Sequence, residues 1–253
     1  MSILYVIEMH DQLLQLWRSQ NATDLSIVHL DSHCDMRGLL INRQAQLAYP
    51  ITNFMRVDEG NFLAHAVKEG RVKSIIWAHH IPGGRQYDVG TIKYATDLTS
   101  QPLLWLFNLK GQQGISIHYD VMGFSSWSGL KDNEFLDIDW DFFASKNYPL
   151  NTIDSRVKTF LNMDFGRVPD QTSVCYSARY SHPTRDQFEM FVQRVAEKFQ
   201  AKIVRMPVSK STVHNLQNPG KRSLFKRCYH WFIYQCRHMH YEMTLWLRSK
   251  GIY

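Results

Sequence analysis

Two short segments of this chain place ionisable side chains at every second position, directly after an apolar run. They are Asp31, His33 and Asp35 in residues 27–36, and Asp137, Asp139 and Asp141 in residues 135–143. A period of two puts such side chains on one face of an extended segment. Carboxylates packed that closely repel one another and retain protons unless a cation neutralises them. The pattern therefore predicts two acidic strand ends that face each other and hold one or two divalent metal ions.

Apolar periods typical of strands and helices alternate along most of the chain. Strands are predicted over 3–9, 25–31, 72–79, 115–121, 135–139, 172–180 and 202–208, and helices over 10–20, 59–70 and 154–161. A further helix is predicted to begin at Thr184, with Gln187 completing a capping box. This alternation predicts a single three-layer α/β/α domain with a mostly parallel sheet over residues 1–253. An apolar stripe at helical spacing predicts a last, basic helix over 223–248.

The bulk composition is that of a globular α/β protein. A chain of 253 residues with 44% apolar residues is long enough to bury a full core. No apolar run approaches the roughly 18–20 residues of a membrane span, so no membrane partner is expected. The amino terminus lacks the features of a signal peptide, and none of the four cysteines forms a CxxC pair. Free thiols and a cytoplasmic location are therefore expected.

The positive charge is concentrated at the carboxyl end. Residues 211–253 hold seven lysines and arginines against one glutamate, which accounts for the whole net charge of +6. Such a segment favours an anionic partner, for example an acidic peptide, although a solvated helix face gives the same pattern. Nucleic acid is a less favoured partner, because aromatic and basic residues do not interleave elsewhere.

His10 follows the first predicted strand, and Asp31 ends the next one. In open parallel sheets the carboxyl ends of such strands meet at one edge, where ligands bind. A lone histidine at such a junction is more often a packed core residue, but the neighbouring Asp31, His33 and Asp35 favour a metal ligand. The long segment 36–58 is predicted to be a loop over this edge.

The order and spacing of these residues resemble those of a known family. His10, D-S-H-C-D at 31–35 and D-I-D at 137–139 resemble the binuclear manganese site of the arginase and ureohydrolase superfamily. The sequences that flank these motifs are similar to those of a divergent branch of the superfamily. That branch includes the peptide arginases, which convert arginine to ornithine within ribosomally made peptides. The resemblance covers most of the chain to about Val208. It implies an arginase-like fold, two manganese ions, and release of urea from a guanidino group.

The resemblance also implies a ligand set. Asp31 and Asp137 would bridge the two metals, and His10 with Asp35 would complete one metal. His33 and Asp139 would complete the other, and Asp35 would also orient the attacking hydroxide. All donors are nitrogen or carboxylate oxygen, which suits manganese. Cys34 is interpreted as a core residue.

The sequence departs from the family at the proton donor and at the carboxylate that pairs with the guanidinium. Free-arginine arginases place a histidine in a loop soon after the D-x-H-x-D motif, and this chain has none between Asp35 and His65. The catalytic candidates are therefore Asp35 and His65, with His79, His182 or a metal-bound water as other donors. The substrate-binding candidates are Glu8, Asn61 and His182, although Glu8 could instead support a metal ligand.

Three functions stay open at this point. Residues 36–58 contain few polar groups to hold the charged ends of free arginine, which favours an arginine within a peptide, with the basic carboxyl-terminal segment docking an acidic leader. The second interpretation is a small-molecule ureohydrolase of agmatinase or guanidinase type. The third is a non-catalytic, metal-stabilised protein that binds an acidic partner and shows strongly salt-dependent binding.

Overall fold

The computed structural model describes residues 1–36, 57–80 and 116–208, together with the strand backbone at 41–42, 47–48 and 90–94. The first compact unit spans Met1–Ser209. The predicted helix over 223–248 and most of the predicted loop over 36–58 lie outside the described residues. The interpretation of all 253 residues as one domain therefore stays a prediction.

Ten strands form one sheet in the described part of the chain. They are β1 (Ile3–Ile7), β2 (Leu25–Leu30), β3 (Ile41–Asn42), β4 (Leu47–Ala48), β5 (Val72–His79), β6 (Gly90–Tyr94), β7 (Ser116–Gly123), β8 (Glu134–Asp139), β9 (Gln171–Cys175) and β10 (Lys202–Arg205). Their order is β10-β1-β9-β8-β2-β5-β7-β6-β4-β3. The pairs from β10 to β7 are all parallel, and β6 is antiparallel to β7.

Within residues 1–36, 57–80 and 116–208, five α-helices pack on the two sides of this sheet. They are α1 (Asp11–Ser19), α2 (Phe62–Lys68), α3 (Asp141–Ala144), α4 (Ile153–Asn162) and α5 (Arg185–Phe199). The apolar side chains of α1 and α2 belong to one buried cluster, and those of α3, α4 and α5 belong to another. The predicted three-layer α/β/α architecture with a mostly parallel sheet is confirmed.

Alternation along the central strands sends neighbouring side chains to opposite faces. In β2, Val28 and Leu30 point into the core beneath α3, α4 and α5, whereas Ile27 joins the core beneath α1 and α2. The same holds in β8 for Ile138 and Phe135. The alternate positions nearest the carboxyl ends of these strands carry histidine and aspartate, and they lie on the α1/α2 face.

Several predicted boundaries are wrong in instructive ways. Strand β2 ends at Leu30, and residues 31–33 form a bend, so the D-x-H-x-D motif is not extended. The ninth strand ends at Cys175, five residues before the predicted end at 180. The predicted capping box is absent, since the Thr184 side chain makes no cap hydrogen bond. Its hydroxyl instead accepts a hydrogen bond from Trp140 Nε1 at 2.9 Å. Within the described residues, no helix is both long and apolar enough to cross a membrane.

Candidate metal centre

The carboxyl ends of four adjacent strands bring the predicted ligands together. In the sheet order β1-β9-β8-β2, the chain leaves β1 into His10, leaves β2 into Asp31, and leaves β8 after Asp139. His10, Asp31 and Asp137 have no exposed surface, and Asp35 and Asp139 are 5% and 2% exposed. Parallel pairing explains the convergence, because parallel strands end at the same edge of the sheet.

His10 lies among four of the predicted aspartates. Its Nδ1 atom is 3.0 Å from Asp35 Oδ2, 3.4 Å from Asp139 Oδ2 and 3.6 Å from Asp31 Oδ2. Its Nε2 atom is 3.5 Å from Asp137 Oδ1. Neither ring nitrogen makes a hydrogen bond within the described structure. The ring is therefore surrounded by four carboxylate oxygens within 3.6 Å without donating a hydrogen bond to any of them, an arrangement that a shared cation would complete.

A second buried histidine, His29, was not predicted as part of the site. Its Nδ1 lies 2.8 Å from Asp137 Oδ2, and its Nε2 lies 3.2 Å from Asp31 Oδ2. In the sheet register His29 is paired with Asp137 across β2 and β8. The imidazole thus joins the two carboxylates that the sequence analysis assigned as bridging ligands. The sequence contained a signal for this residue, because His29 lies two positions before Asp31 and so extends the period of two formed by Asp31, His33 and Asp35.

The structure pairs His33 with a different acid from the one predicted. His33 Nδ1 is 2.8 Å from Asp141 Oδ2 and 3.5 Å from Asp31 Oδ1, whereas Asp139 lies beside His10 instead. The physical reason is that the chain turns into α3 directly after β8, which carries Asp141 back toward the bend after β2. The Ser32 backbone N–H donates to Asp141 Oδ1 at 3.2 Å, and this bond ties the two segments together.

Three groups of histidine and carboxylate side chains have donor atoms within 4.8 Å of one another, the spacing that a metal ion requires. They are His10, Asp31 and Asp139; His29, Asp31 and Asp35; and Asp31, His33 and Asp141. Asp31 is common to all three. Five of the thirteen buried side-chain polar atoms without a hydrogen-bond partner in the described structure lie here; they are His10 Nδ1 and Nε2, His29 Nε2, Asp31 Oδ2 and Asp141 Oδ2. Such atoms are rare in folded proteins, so the donor set fits one or more divalent cations.

Crowding and burial shift the pKa values of these groups in opposite directions. Burial raises the pKa of Asp35 to about 6 and that of Asp141 to about 7, with the charge of Asp31 adding to both shifts. Burial alone would lower the pKa of His29, but Asp31 and Asp137 raise it to about 10. Without a metal, protons thus supply the positive charge that the carboxylates need, and a metal would compete with those protons.

Two serines after β8 in the chain hold the β8 carboxylates in place. Ser173 Oγ donates to Asp137 Oδ1 at 2.5 Å, and Ser177 Oγ donates to Asp139 Oδ2 at 2.8 Å. Asp35 has φ +49°, in the left-handed region that a non-glycine residue rarely adopts. A local backbone strain of this kind is typical of residues whose side chain must reach a functional site.

Two predicted site residues from the α2 region are buried, and their surroundings differ from the prediction. The side-chain carbonyl of Asn61 accepts a hydrogen bond from the Asp58 backbone N–H at 2.8 Å. His65 is 8% exposed, and burial and Lys68 lower its pKa. His65 is in none of the three donor groups that contain the buried aspartates. The structure therefore does not bring His65 to the metal centre.

Two other predicted substrate contacts already have partners. Both Glu8 oxygens pair with the Arg185 guanidinium at 2.8 Å. His182 Nε2 is 2.9 Å from the Tyr148 carbonyl oxygen, and its backbone N–H donates to Ala144. Among the other histidine candidates, burial lowers the pKa of His79. The structure does not place Glu8 or His182 with the buried aspartates.

One further buried acid was not among the predicted site residues. Glu59 is 7% exposed, and its Oε2 atom has no hydrogen-bond partner in the described part of the chain. Burial raises its pKa to about 7, with the charges of Asp35 and Asp11 adding to the shift and His10 opposing it. No sequence pattern marks Glu59, since it precedes a short helix and has no periodic relation to the other acids.

The chain is similar to three solved structures. An arginase from Medicago truncatula is 11% identical with a TM-score of 0.41, over 78% of this chain and 58% of that one. A proclavaminate amidino hydrolase from Streptomyces clavuligerus is 12% identical with a TM-score of 0.41, over 78% and 63%. A hypothetical agmatinase from Burkholderia thailandensis is 14% identical with a TM-score of 0.37, over 78% and 57%. The chain thus spans less than two thirds of each. No family model and no curated protein matches it.

Proposed function

We propose that this protein is a hydrolase with two manganese ions that cleaves the guanidino group of arginine residues in a peptide, giving ornithine and urea. The observation that carries the proposal is the shared position of Asp31 in three adjoining donor groups, which allows one carboxylate to serve two metal ions. The proposed partners of Asp31, as the motif resemblance implies, are His10, His33, Asp35, Asp137 and Asp139. His29 and Asp141 are added to the site by the geometry.

The donor set supports metal-assisted hydrolysis. All donors in the three groups are imidazole nitrogens or carboxylate oxygens, a set that suits manganese. When bound, two such ions would lower the pKa of water and supply hydroxide at neutral pH, which a resonance-stabilised guanidinium carbon requires. The chain itself contributes orientation: His29, Ser173 and Ser177 fix the rotamers of Asp137 and Asp139 by direct contacts.

The choice of an arginine within a peptide rests on the sequence. The basic segment 211–253 favours an acidic leader, and hence an arginine that lies within a peptide. A small-molecule ureohydrolase is the competing possibility, and its substrate would carry the same guanidino group. The two differ only in what surrounds that group.

The test is to incubate the manganese-loaded protein with an arginine-containing peptide and to measure both urea and the peptide mass. We expect urea to be released together with conversion of arginine to ornithine. Free arginine, agmatine and other guanidino compounds form the comparison panel. Hydrolysis of a free compound with untouched peptides would replace the peptide proposal by the small-molecule one. No urea from any of them would overturn both.

A further inference from the structure

The chain segment 177–181, which follows β9, contacts the metal centre at two points. Ser177 Oγ donates to Asp139 Oδ2 at 2.8 Å. The Tyr180 ring lies against the His33 ring, with centroids 4.9 Å apart and ring planes tilted by 52°. Asp139 and His33 belong to two different donor groups, so one short segment supports a proposed ligand in each.

Backbone hydrogen bonds fix the shape and the position of this segment. The N–H groups of Tyr180 and Ser181 both donate to the Ser177 carbonyl, at 2.9 and 3.0 Å, which closes a turn. The Ser177 N–H donates to the Glu8 carbonyl at 3.2 Å, directly after β1. The Tyr180 carbonyl accepts from the Lys146 N–H at 3.0 Å, shortly after α3. Because the segment is tied to its neighbours at both ends, the Tyr180 ring is preorganised beside His33.

His33 is the least enclosed side chain of the three donor groups. It is 43% exposed, whereas Asp31 and Asp141, the other members of what is here called the outer group, have no exposed side-chain surface. An exposed imidazole has other rotamers that point away from the metal, and fixing it costs side-chain entropy. The position of His33 therefore depends more on contacts with its neighbours than that of any other donor. Tyr180 supplies such a contact from outside the group.

We propose that Tyr180 is a positioning residue for His33 and thereby controls the metal ion that the outer group holds. This inference rests on the proposed function, because it takes over the two manganese ions of that function. The group formed by His10, Asp31 and Asp139 is at most 2% exposed, so its ligands have little room to move. Loss of the Tyr180 ring should therefore release one of the two ions selectively.

The first test is a calorimetric titration of the metal-free protein with manganese. The wild type should bind two ions. Tyr180→Ala should bind one ion with the wild-type affinity and the other about 10- to 100-fold more weakly, the usual effect of losing a group that holds a metal ligand. Tyr180→Phe keeps the ring and should bind both ions as the wild type does. The matched control is Tyr148→Ala, which removes the same ring where its centroid lies 3.6 Å from Arg156 Cζ, and it should also bind both ions.

Two further measurements separate a positioning role from a general loss of structure. Ions that share Asp31 are coupled magnetically, so electron paramagnetic resonance should give a coupled spectrum for the wild type and the spectrum of a single ion for Tyr180→Ala. In a His33→Ala background, Tyr180→Ala should have no additional effect on metal binding, since the side chain that it positions is gone. Circular dichroism checks that each variant folds. Tyr180→Leu, which keeps the bulk without the flat ring, replaces Tyr180→Ala if the latter does not fold.

The outcomes distinguish this role from the proposed function. Two ions held with wild-type affinity by Tyr180→Ala, or an equal loss of both, would overturn the positioning role, and urea release by the wild type would leave the proposed function standing. Selective loss of one ion in Tyr180→Ala, from a wild type that releases no urea from any guanidino compound, would overturn the proposed function and keep the positioning role. A wild type that holds one ion or none would overturn both.

Discussion

The two faces of strands β2 and β8 carry opposite chemistry although they share one backbone. On one face Leu30 and Ile138 are completely buried among aromatic side chains of α3, α4 and α5. On the other face His29, Asp137 and Asp139 are just as buried, and they contact one another through charges. Burial on the first face stabilises the fold, whereas burial on the second raises the free energy of the charged groups.

This contrast separates stability from function within a single sheet. On the apolar face, Phe143 and Phe160 pack edge-to-face with ring centroids 5.5 Å apart, and Phe142 packs on Phe143 at 4.9 Å. Such contacts need no ligand to be favourable. On the polar face, five buried nitrogen and oxygen atoms have no hydrogen-bond partner among the described residues. Substitutions on the apolar face should therefore lower stability, and substitutions on the polar face should lower metal binding.

The largest expected effect is from Asp137→Asn on the polar face. The change removes one negative charge while keeping the size, so manganese affinity and urea release should both fall by more than about 100-fold, the loss reached even by residues that only support metal ligands. Metal content after dialysis and a urea assay measure the two quantities. Asp186→Asn, an exposed position in the first turn of α5, is the matched control. Normal metal content in Asp137→Asn would show that Asp137 is not a ligand.

The apolar face is tested by Phe160→Ala. Phe160 has no exposed surface and contacts four aromatic rings, so its truncation should lower the free energy of unfolding by about 3–5 kcal/mol. Urea denaturation measures this loss. The manganese content of the folded fraction should stay at the wild-type value. A loss of metal from the folded fraction would mean that the two faces are coupled.

Much of the fold could be predicted from the sequence. The alternation of strand and helix periods predicts a parallel sheet, and the carboxyl ends of its strands mark the edge where the site lies. The strand Val72–His79 has the predicted bounds, and His10 lies at the predicted junction between β1 and α1. His29 could have been predicted too, because it continues the period of two. These features follow from local sequence patterns and from the fact that the carboxyl ends of parallel strands lie at the same edge of the sheet.

The rest depended on turns and on contacts between distant segments. Asp35 contacts His10 from a left-handed backbone conformation. An aspartate in the sequence does not predict that conformation. Asp141 reaches His33 because a helix begins directly after β8. Glu8 was predicted to bind substrate, but Arg185, 177 residues away in sequence, holds it. Such pairings follow from the packing of whole elements.

His29→Gln sharpens the comparison within the polar face. His29 contacts both Asp31 and Asp137, so it orients two of the proposed metal ligands. Its loss should weaken manganese binding by about 10- to 100-fold, the usual effect of residues that hold metal ligands. Titration of the metal-free protein with manganese measures the affinity. An affinity equal to that of the wild type would remove His29 from the site.

The stability of the metal-free protein should depend on pH through the titrating groups of the polar face. In the metal-free fold the pKa of Asp35 is raised to about 6 and that of Asp141 to about 7, so the folded state binds more protons than the unfolded state between pH 4 and 7. Stability from these groups is therefore lost as pH rises through that window. The contribution of His29, whose pKa is raised to about 10, is full below pH 6.5 and lost as pH approaches 10. Manganese should consequently raise Tm more at pH 8 than at pH 5.5, and a Tm gain that is the same at both values would contradict this.

The smallest expected effect has the opposite sign from the others. Because burial raises the pKa of Glu59 from 4.5 to about 7, its charge destabilises the metal-free fold at pH 8 and is largely absent at pH 5. Glu59→Gln should therefore raise Tm at pH 8, by about 2–6 °C, and change it little at pH 5. Thermal unfolding at the two pH values measures this, with Glu197→Gln as the exposed control. A variant that is less stable at pH 8 would instead assign the Glu59 side chain to the packing of α2.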